Sequence, residues 1–301
     1  MRILLALSGA LLLTGCIMGD FGSSDRYQTD FHYTFDLAPG GQVSVDNING
    51  SVEISGWDEA KVDVAGTKYA STEQRRDDIK IEAQNSPTEL RLRTSQPSSA
   101  FGGMGARYTI HVPRSIRVDQ ITTSNGGIRI HEVASASHLK SSNGSIRVEK
   151  VTGDVNARTS NGSIEMEEVR GNLTIRSSNG RIRLDDVEGN CEAETSNNSI
   201  SVHLQHAPSG PLRLVTSNGS IDLTLAEPPK SAIRLETRNG GLAIHLPTGT
   251  SAHVEAETSN SGISSDFDVM TRSGSTTGKN HLDGDIGSGG PTIDLKTSTG
   301  H

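Results

Sequence analysis

Aromatic residues are scarce in this sequence of 301 residues, since Phe, Trp and Tyr together make up 3% of it and hydrophobic residues of all kinds 32%. A large globular core built on aromatic side chains is therefore excluded. Glycine, in contrast, contributes 33 residues. A chain of this composition is either partly disordered or builds a thin core by repeating a short unit.

Cysteine and positive charge are also in short supply. The two cysteines, Cys16 and Cys191, are too few for a disulfide framework or a cysteine-based zinc site. The 28 Lys and Arg residues are outnumbered by 36 Asp and Glu residues, which leaves a formal charge of −8. Because nucleic-acid binding relies on an excess of basic residues, we expect no nucleic-acid partner.

The first residues of the chain carry a hydrophobic run. Arg2 is followed by an apolar stretch, residues 3–13, and then by the tetrapeptide Leu-Thr-Gly-Cys that ends at Cys16. This order is typical of a signal peptide, and the apolar stretch is too short to span a bilayer. The tetrapeptide resembles the lipobox of bacterial lipoproteins, in which the cysteine is acylated and becomes the first residue of the mature chain. Residues 1–15 are thus expected to be a lipoprotein signal peptide.

The lipobox resemblance implies that acylated Cys16 anchors the protein in a membrane of the cell envelope. Each buried CH₂ group of an acyl chain contributes about 0.8 kcal/mol to such anchoring. Ile17, rather than an aspartate, follows the cysteine. By analogy with lipoprotein sorting, this favours the outer membrane in an organism that has one. Residues 16–29 are expected to be a linker.

A short unit recurs through most of the remaining chain, and an asparagine in a Ser-Asn-Gly-like tetrad marks each copy. Successive marker asparagines are separated by 18, 18, 18, 18, 21, 21 and 21 residues. So regular a spacing is typical of a repeat protein. The marker residues are Asn125, Asn143, Asn161, Asn179, Asn197, Asn218, Asn239 and Asn260.

Apolar residues alternate with others on both sides of each marker asparagine. The third residue after it is always aliphatic, as at Ile146, Ile164 and Ile182, and the fourth residue before it is also apolar. Residues of varied type, such as Arg147 and Glu165, lie between the apolar ones. This alternation predicts β-strands whose apolar side chains face a core and whose variable side chains face solvent.

Two architectures fit such a unit. An Asn-Gly pair flanked by alternating apolar residues is a strong hairpin signal, which would give an antiparallel meander. A β-solenoid is favoured because its coils lie about 4.8 Å apart and like residues stack on like, whereas equivalent residues of a meander lie about 9.6 Å apart. The sequence therefore predicts an all-β fold, a right-handed parallel β-solenoid of 18- to 21-residue coils with irregular N- and C-terminal caps.

The marker asparagines have a physical role in this solenoid. Asparagine tolerates the left-handed backbone conformation that a tight turn needs, and stacked side-chain amides can hydrogen-bond along the solenoid axis. The glycine that follows is expected to relieve the remaining strain. The marked coils are predicted to form one continuous ladder about 34 Å long.

The repeat pattern divides the folded part of the chain into three regions. Residues 30–119 are expected to form an N-terminal cap with irregular first coils, including one recognisable copy at Asn47–Ile54 and a short polar helix or loop at residues 71–78. Residues 120–265 hold the regular repeats. Residues 266–301 are expected to form a Gly/Ser-rich loop and a C-terminal cap.

Several of these motifs resemble the bacterial putative-adhesin family of β-strand-repeat domains of unknown function. They are Asn-Gly-Ser-Val-Glu-Ile followed by Gly-Trp-Asp at Gly56, Tyr-Thr-Ile-His-Val-Pro from Tyr108, and the Ser-Asn-Gly-Ser-Ile copies. The likeness covers about residues 30–301 and implies a β-solenoid protein of the cell envelope. The family has no established catalytic residues to transfer. The last copy, residues 293–300, differs because its turn is cut off at His301.

Two sets of potential metal ligands face outward. His131, His203 and His245 share one column, but His203 and His245 are two coils apart, about 9.6 Å, which is too far for one zinc ion and favours solvated surface histidines. Carboxylates occupy that column on three consecutive coils and would form a weak site for a hard cation such as calcium. The basic residues beside them favour a charge-compensated surface instead. The carboxylates are Glu149, Glu167 and Asp185.

No pattern of catalytic residues appears in the sequence. Cys191 lies in an apolar column and is expected to be a buried core residue rather than a reactive thiol. No nucleophile elbow, phosphate-binding loop or paired metal-ligand motif is present, so neither a catalytic residue nor a cofactor is assigned.

These observations favour a non-enzymatic, lipid-anchored protein of the cell envelope, a surface-interaction scaffold or adhesin with a protein or glycan partner. The alternative is a β-helix protein that binds or degrades polysaccharide, because parallel β-helices can act on glycans. The repeats carry no outward aromatic platform for sugar stacking, since Trp57 is the only tryptophan and lies outside them.

Overall fold

The computed structural model describes residues 26–97, 103–271 and 279–299, and most of its regular structure is β-strand. Within these residues, no helix combines the length and apolar character needed to cross a bilayer. The N-terminal elements are β1 (Tyr27–Asp36), β2 (Gln42–Asp46), β3 (Val52–Trp57), β4 (Lys61–Ala70), α1 (Glu73–Asp77), β5 (Lys80–Asn85), β6 (Glu89–Ser95) and β7 (Met104–Pro113).

The repeats follow as pairs of strands, one on each side of a marker asparagine. They are β8 (Arg117–Thr123), β9 (Ile128–His131), β10 (Ser135–Ser141), β11 (Ile146–Thr152), β12 (Val155–Thr159), β13 (Ile164–Arg170), β14 (Leu173–Ser177), β15 (Ile182–Asp185), β16 (Cys191–Thr195), β17 (Ile200–Leu204), β18 (Leu212–Thr216), β19 (Ile221–Leu225), β20 (Ile233–Asn239) and β21 (Leu242–His245). The C-terminal elements are β22 (Ala252–Thr258), β23 (Val269–Thr271), β24 (His281–Ile286) and β25 (Thr292–Thr299).

The strands form two sheets, and the repeats run in parallel through both. Sheet A has the order β1-β4-β7-β3-β9-β11-β13-β15-β17-β19-β21, and sheet B has the order β23-β24-β22-β25-β20-β18-β16-β14-β12-β10-β8-β2-β6-β5. Equivalent residues pair in register, so that Ile164 lies between Ile146 and Ile182. This arrangement confirms the solenoid and excludes the meander for the repeats, while the right-handed sense stays a prediction.

The core lies between the two sheets and consists of stacked aliphatic side chains. Ile164 and Ile182 of sheet A and Ile175 of sheet B are fully buried, whereas Glu165 lies half-exposed on the outer side. The predicted inward and outward positions are thereby confirmed. Full burial of an aliphatic side chain contributes about 1.5–3 kcal/mol, and the column repeats this gain on every coil.

A stacked bulge bends each of four sheet A strands near its end. Lys150 and Glu168 have φ of +53°, in the left-handed region, and Glu132 and Asp186 at equivalent positions have φ of +54° and +53°. The ladder skips them, because Glu149 pairs with Glu167 and the next pair is formed by the valines that follow the bulge. The bulge therefore turns the chain so that the following valine faces the core again.

The Asn-Gly turn differs from its prediction. None of the marker asparagines among the described residues has a positive φ, so a left-handed turn does not explain them. The glycines are needed for space instead. A Cβ on Gly162 would lie 2.0 Å from the carbonyl oxygen of Gly144, and one on Gly180 would lie 1.6 Å from that of Gly162. The coils touch backbone to backbone at this edge.

The N-terminal end departs from the parallel pattern. β4 pairs antiparallel with β1 and β7, and β5 pairs antiparallel with β6. The predicted copy at residues 47–54 forms a coil that lies directly beside the Asn125 coil, as the bridge between Asn49 and Asn125 shows. The stretch expected to be a short polar helix or loop is helical at residues 73–77, and Thr72 caps the N-terminus of this helix.

The C-terminal end contradicts the predicted coil order. Asn260 was expected to stack on Asn239, but β25 lies between β20 and β22 in sheet B. The physical reason is that β25 carries the same alternating pattern and fits against β20 equally well. Ile263 therefore belongs to no strand, and β24 forms within a stretch that the sequence predicted as a loop.

Candidate functional site

The marker asparagines form a ladder of side-chain hydrogen bonds along one edge of the solenoid. Each Nδ2 donates to the Oδ1 of the asparagine on the preceding coil, at 2.6–3.0 Å. The turn places every amide at the surface. The ladder runs through Asn49, Asn125, Asn143, Asn161, Asn179, Asn197, Asn218 and Asn239.

Both ends of the ladder are closed by other groups. Asn49 Nδ2 donates to the carbonyl oxygen of Met104 at 2.9 Å, and the hydroxyl of Thr299 donates to Asn239 Oδ1 at 2.7 Å. Asn260, predicted as the last member, lies outside the ladder and donates to the carbonyl oxygen of Ser298 at 3.3 Å. Asn49 was missed as a member, although the Asn-Gly pair that it begins was a usable signal.

A second ladder, inside the first, was missed by the sequence reasoning. A serine or threonine two residues before each ladder asparagine from Asn125 to Asn239 donates its hydroxyl to the carbonyl oxygen at the glycine position of the preceding coil, as Ser141 does to Gly126 at 2.9 Å. The same Ser141 hydroxyl accepts from the N–H of Gly144 at 2.9 Å. The signal was the constant Ser or Thr at this position. Thr258 lies in the displaced strand β22, and its buried hydroxyl has no such partner.

The acidic column on the outer face of sheet A is paired with arginines. Arg147 hydrogen-bonds Glu149 and also contacts Glu165 at 3.0 Å and Glu167 at 3.5 Å. Asp185 lies 2.6 Å from Arg183. The hydrogen bond from Arg147 holds the pKa of the Glu149 carboxyl below its ordinary value. Arginine guanidinium groups thus occupy the positions around the predicted cation ligands.

The histidines of the same column do not come together. His131 lies 3.2 Å from Glu149, and His245 lies 3.8 Å from Asp222. His203 is paired in sheet A with Asp185 on the preceding coil and with Thr224 on the next coil. Among the residues that the structure describes, no group of three or more His, Cys, Asp or Glu side chains is placed to hold a metal ion.

A basic column lies on the outer face of sheet B. Lys140, Arg158 and Arg176 occupy equivalent positions on three consecutive coils. Arg176 contacts Glu192 at 3.5 Å and Glu194 at 3.4 Å. Lys140 and Arg158 are exposed and form no ion pair within the described part of the chain. Two like charges therefore lie side by side, although stacked like charges destabilise a sheet.

Only one of the two cysteines lies among the described residues. Cys191 is buried in the core, as predicted, and burial raises the pKa of its thiol to about 12. A thiol that is neither ionised nor accessible is unreactive. Cys16, the predicted lipidation site, lies outside the described residues.

Known proteins were compared with the chain by sequence family, by curated sequence and by fold. The model of the family Toastrack DUF4097 matches residues 41–301. No curated protein matches the chain. A solved structure of a putative cell adhesion protein from Clostridium sporogenes is 12% identical, covers 91% of this chain and 97% of its own, and has a TM-score of 0.30.

A putative adhesin from Bacteroides fragilis is 15% identical, covers 74% of this chain and 99% of its own, and has a TM-score of 0.43. Likenesses as distant as these two carry no conclusion about function. The family match, in contrast, extends from the first coil to the end of the sequence. The chain belongs to the Toastrack DUF4097 family, whose function is unknown.

Proposed function

We propose that the chain is a non-enzymatic, lipid-anchored scaffold of the cell envelope that binds a surface partner through the outer face of sheet B. The observation that carries the proposal concerns two of the three residues of the basic column. Lys140 and Arg158 lie next to each other with no acidic partner among the described residues, in a protein whose formal charge is −8. The partner that this column favours is one that presents anionic groups, such as an acidic glycan.

The paired state of the other charges supports this role. Two arginines on later strands of sheet B are matched, because Arg213 contacts Glu192 at 3.0 Å and Arg234 contacts Glu236 at 3.1 Å. Like charges at 4 Å repel by about 1 kcal/mol even in water, so an unmatched pair is a cost that binding would remove. The stacked coils hold the backbone of these two residues in register, so that little backbone freedom is lost when a partner binds.

The geometry gives a polysaccharide-degrading role less support. Glycosidases use two carboxylates that flank the scissile bond, one of them protonated. Here the hydrogen bond from Arg147 lowers the pKa of Glu149, which favours its ionised form. Residues 120–265 contain no Phe, Trp or Tyr, so the repeats offer no ring on which a sugar could stack.

A binding measurement tests the proposed face. Full-length protein in detergent is expected to bind immobilised polygalacturonate, an acidic polysaccharide, and not neutral dextran. The double variant Lys140→Glu, Arg158→Glu is expected to bind about tenfold more weakly. The matched control is Arg213→Glu, Arg234→Glu, which changes the net charge equally but alters paired residues. Equal loss in both variants, or no binding by the wild type, would contradict the proposal, and release of shortened products would favour the enzymatic alternative.

The anchor is proposed from the lipobox and has its own test. Cys16→Ser is expected to move the protein from the membrane fraction to the soluble fraction, because the acyl chains would be lost. Mass spectrometry of the mature N-terminus is expected to show acylated Cys16 in the wild type. In an organism with two membranes, the acylated form is expected in the outer one. An unmodified N-terminus at another residue would contradict the anchor without touching the sheet B proposal.

A further inference from the structure

At the C-terminal end, sheet A stops at β21, whereas sheet B continues for four strands beyond β20. β21 pairs with β19 on one side, and no described strand pairs with its other side. Sheet B continues beyond the β20 coil with β25, β22, β24 and β23. The inner faces of β25 and β22 therefore have no sheet A strand opposite them.

The open side of β21 lacks a hydrogen bond that every preceding coil makes. In those coils the N–H of the first aliphatic residue donates to a carbonyl oxygen of the next coil, as Ile200 does to Ser220 at 3.0 Å and Ile221 to Gly241 at 3.0 Å. Leu242 occupies this position in β21, and its N–H has no acceptor among the described residues. Because peptide groups alternate in direction along a strand, the N–H of Ile244 points to the same side.

The side chains of β21 are also incompletely covered on the open side. Ile221 and Leu223 of β19 are 1% and 0% exposed, whereas Leu242 and Ile244, their partners in β21, are only half-buried. A cavity of 320 Å³ lies beside them and is bounded by Val254, Leu295 and Phe267. Its size is within the range of ligand sites, about 300–1,000 Å³.

The chain's own repeat does not fill this position. The Asn260 copy would have supplied Ile263 as the next sheet A residue, but β25 displaces β22 from β20 by one strand. Ile263 instead donates its N–H to the carbonyl oxygen of Lys279 at 3.1 Å. Ile263 and Phe267 line the cavity without forming a strand. A parallel strand and an acceptor for the N–H of Leu242 are what the regular pattern requires and what the described residues leave out.

We propose that the open edge of β21 binds an extended peptide segment of another protein, which adds to sheet A as a parallel strand. The segment would accept hydrogen bonds from the N–H groups of Leu242 and Ile244 and place aliphatic side chains, at alternate positions, in the cavity. Strand addition of this kind takes its affinity from backbone hydrogen bonds and its specificity from pockets for alternate side chains. The inference goes beyond the scaffold role and does not use the basic column.

A labelled peptide tests the open edge. The probe has the sequence of residues 143–152, Asn-Gly-Ser-Ile-Arg-Val-Glu-Lys-Val-Thr, which forms such a strand within sheet A. Full-length protein is expected to raise its fluorescence anisotropy saturably. A control peptide with Ile146→Asp and Val148→Asp is not expected to bind, because it would bury charge.

A matched pair of protein variants isolates the backbone contact. Leu242→Pro removes the N–H that has no acceptor here, while Leu242→Ala trims the same side chain and keeps the N–H. The proline variant is expected to bind the peptide at least about tenfold more weakly than the alanine variant. In the wild type, hydrogen exchange at Leu242 and Ile244 is expected to slow when the peptide is added, and this measurement needs no variant. No saturable binding, equal binding of the two variants, or unchanged exchange would overturn the proposal.

Discussion

The two ends of the solenoid are finished with different kinds of residue. At the N-terminal end, aromatic rings close the core, since Phe31 lies 5.8 Å from Tyr33 and 5.4 Å from Tyr108 between ring centroids. Tyr108 is fully buried, its hydroxyl lies 2.6 Å from that of Thr94, and burial raises its pKa to about 12. At the C-terminal end, the aliphatic residues of β21 border a cavity.

The difference shows that a repeat unit cannot cover the open side of the last coil. Every interior coil buries its aliphatic column against the next one, so the last coil needs residues of another shape to cover it. Antiparallel strands and large rings meet this need at the N-terminal end. At the C-terminal end, β25 and β22, followed by the antiparallel strands β24 and β23, lengthen sheet B alone. One end is thus a cap and the other is an extension with an open side.

The interior coils provide the reference for this comparison and the largest expected effect. Ile164→Asp is expected to destabilise the protein by more than about 4 kcal/mol, because it buries an unpaired charge among fully buried aliphatic residues. Glu165→Lys, at the neighbouring outward position, is expected to change stability by about 0.5 kcal/mol or less. Similar urea midpoints for the two variants would contradict the division into inner and outer faces.

Shortening one side chain at each end of the solenoid tests the comparison directly. Tyr108→Ala is expected to cost about 3–5 kcal/mol, since a large buried ring is lost. Ile244→Ala is expected to cost only about 1–2 kcal/mol, because that side chain is half-buried beside the cavity. The free energy of unfolding of each variant, measured in urea, gives the two costs. An equal cost at both sites would mean that the C-terminal end is as well packed as the N-terminal one.

The asparagine ladder separates the interior from the displaced C-terminal coil. Asn161→Ala removes amide hydrogen bonds to Asn143 and Asn179, at 2.7 and 2.8 Å, and is expected to cost about 1 kcal/mol or more. Asn260→Ala removes a single contact of 3.3 Å to Ser298 and is expected to cost about 0.5 kcal/mol or less. Thermal melts of the two variants give the comparison, and equal shifts would place Asn260 in the ladder after all.

Acidification probes the charged outer face of the N-terminal half. Hydrogen bonds from arginines lower the pKa of Glu149 and Glu132 below 4.5 in the folded state. Because these pKa values are lower when folded than when unfolded, the stabilisation is present above pH 4.5 and is lost as the pH falls through the folded values. Arg147→Gln is expected to flatten the decline of the melting temperature below pH 4.5. An unchanged decline would show that other groups dominate the acid response.

The smallest expected effect concerns the stacked bulge. Glu168 adopts φ of +53°, which costs a residue with a side chain about 1 kcal/mol or more. Glu168→Gly is therefore expected to leave stability unchanged or raise it by up to about 1 kcal/mol. Glu167→Gly, at the neighbouring extended position, is expected to lower it by about 0.5–1 kcal/mol. If both glycines lower stability equally, the left-handed conformation carries no strain.

The repeats could be predicted from sequence because their pattern is local. Alternation around each marker asparagine defines which face is buried, as at Ile164 and Glu165, and a constant spacing defines what stacks on what. The order of the coils at the C-terminal end could not be predicted this way. β25 and β22 carry equivalent patterns, so local alternation does not say which of them lies against β20.

The candidate site was predicted less completely than the fold. The column of Lys140, Arg158 and Arg176 was visible in the sequence, but which of its members lack an ion pair depends on where the acidic side chains of other coils lie. The serine and threonine ladder was missed because a constant Ser or Thr is the only sequence signal for a hydroxyl that bridges two coils. The role of Gly162 was misjudged because backbone contact between coils, and not backbone conformation, requires it.

The asparagine ladder allows the solenoid to lengthen or shorten by whole coils. Every amide donates in the same direction to a neighbour of the same kind, so a coil in the middle of the ladder contacts nothing that another coil would not supply. Duplication or loss of one 18-residue unit, such as residues 143–160, would leave each remaining contact type intact and move the ends by about 4.8 Å. A single-residue deletion would turn the same strand inside out. The solenoid can thus change its length in fixed steps of one coil.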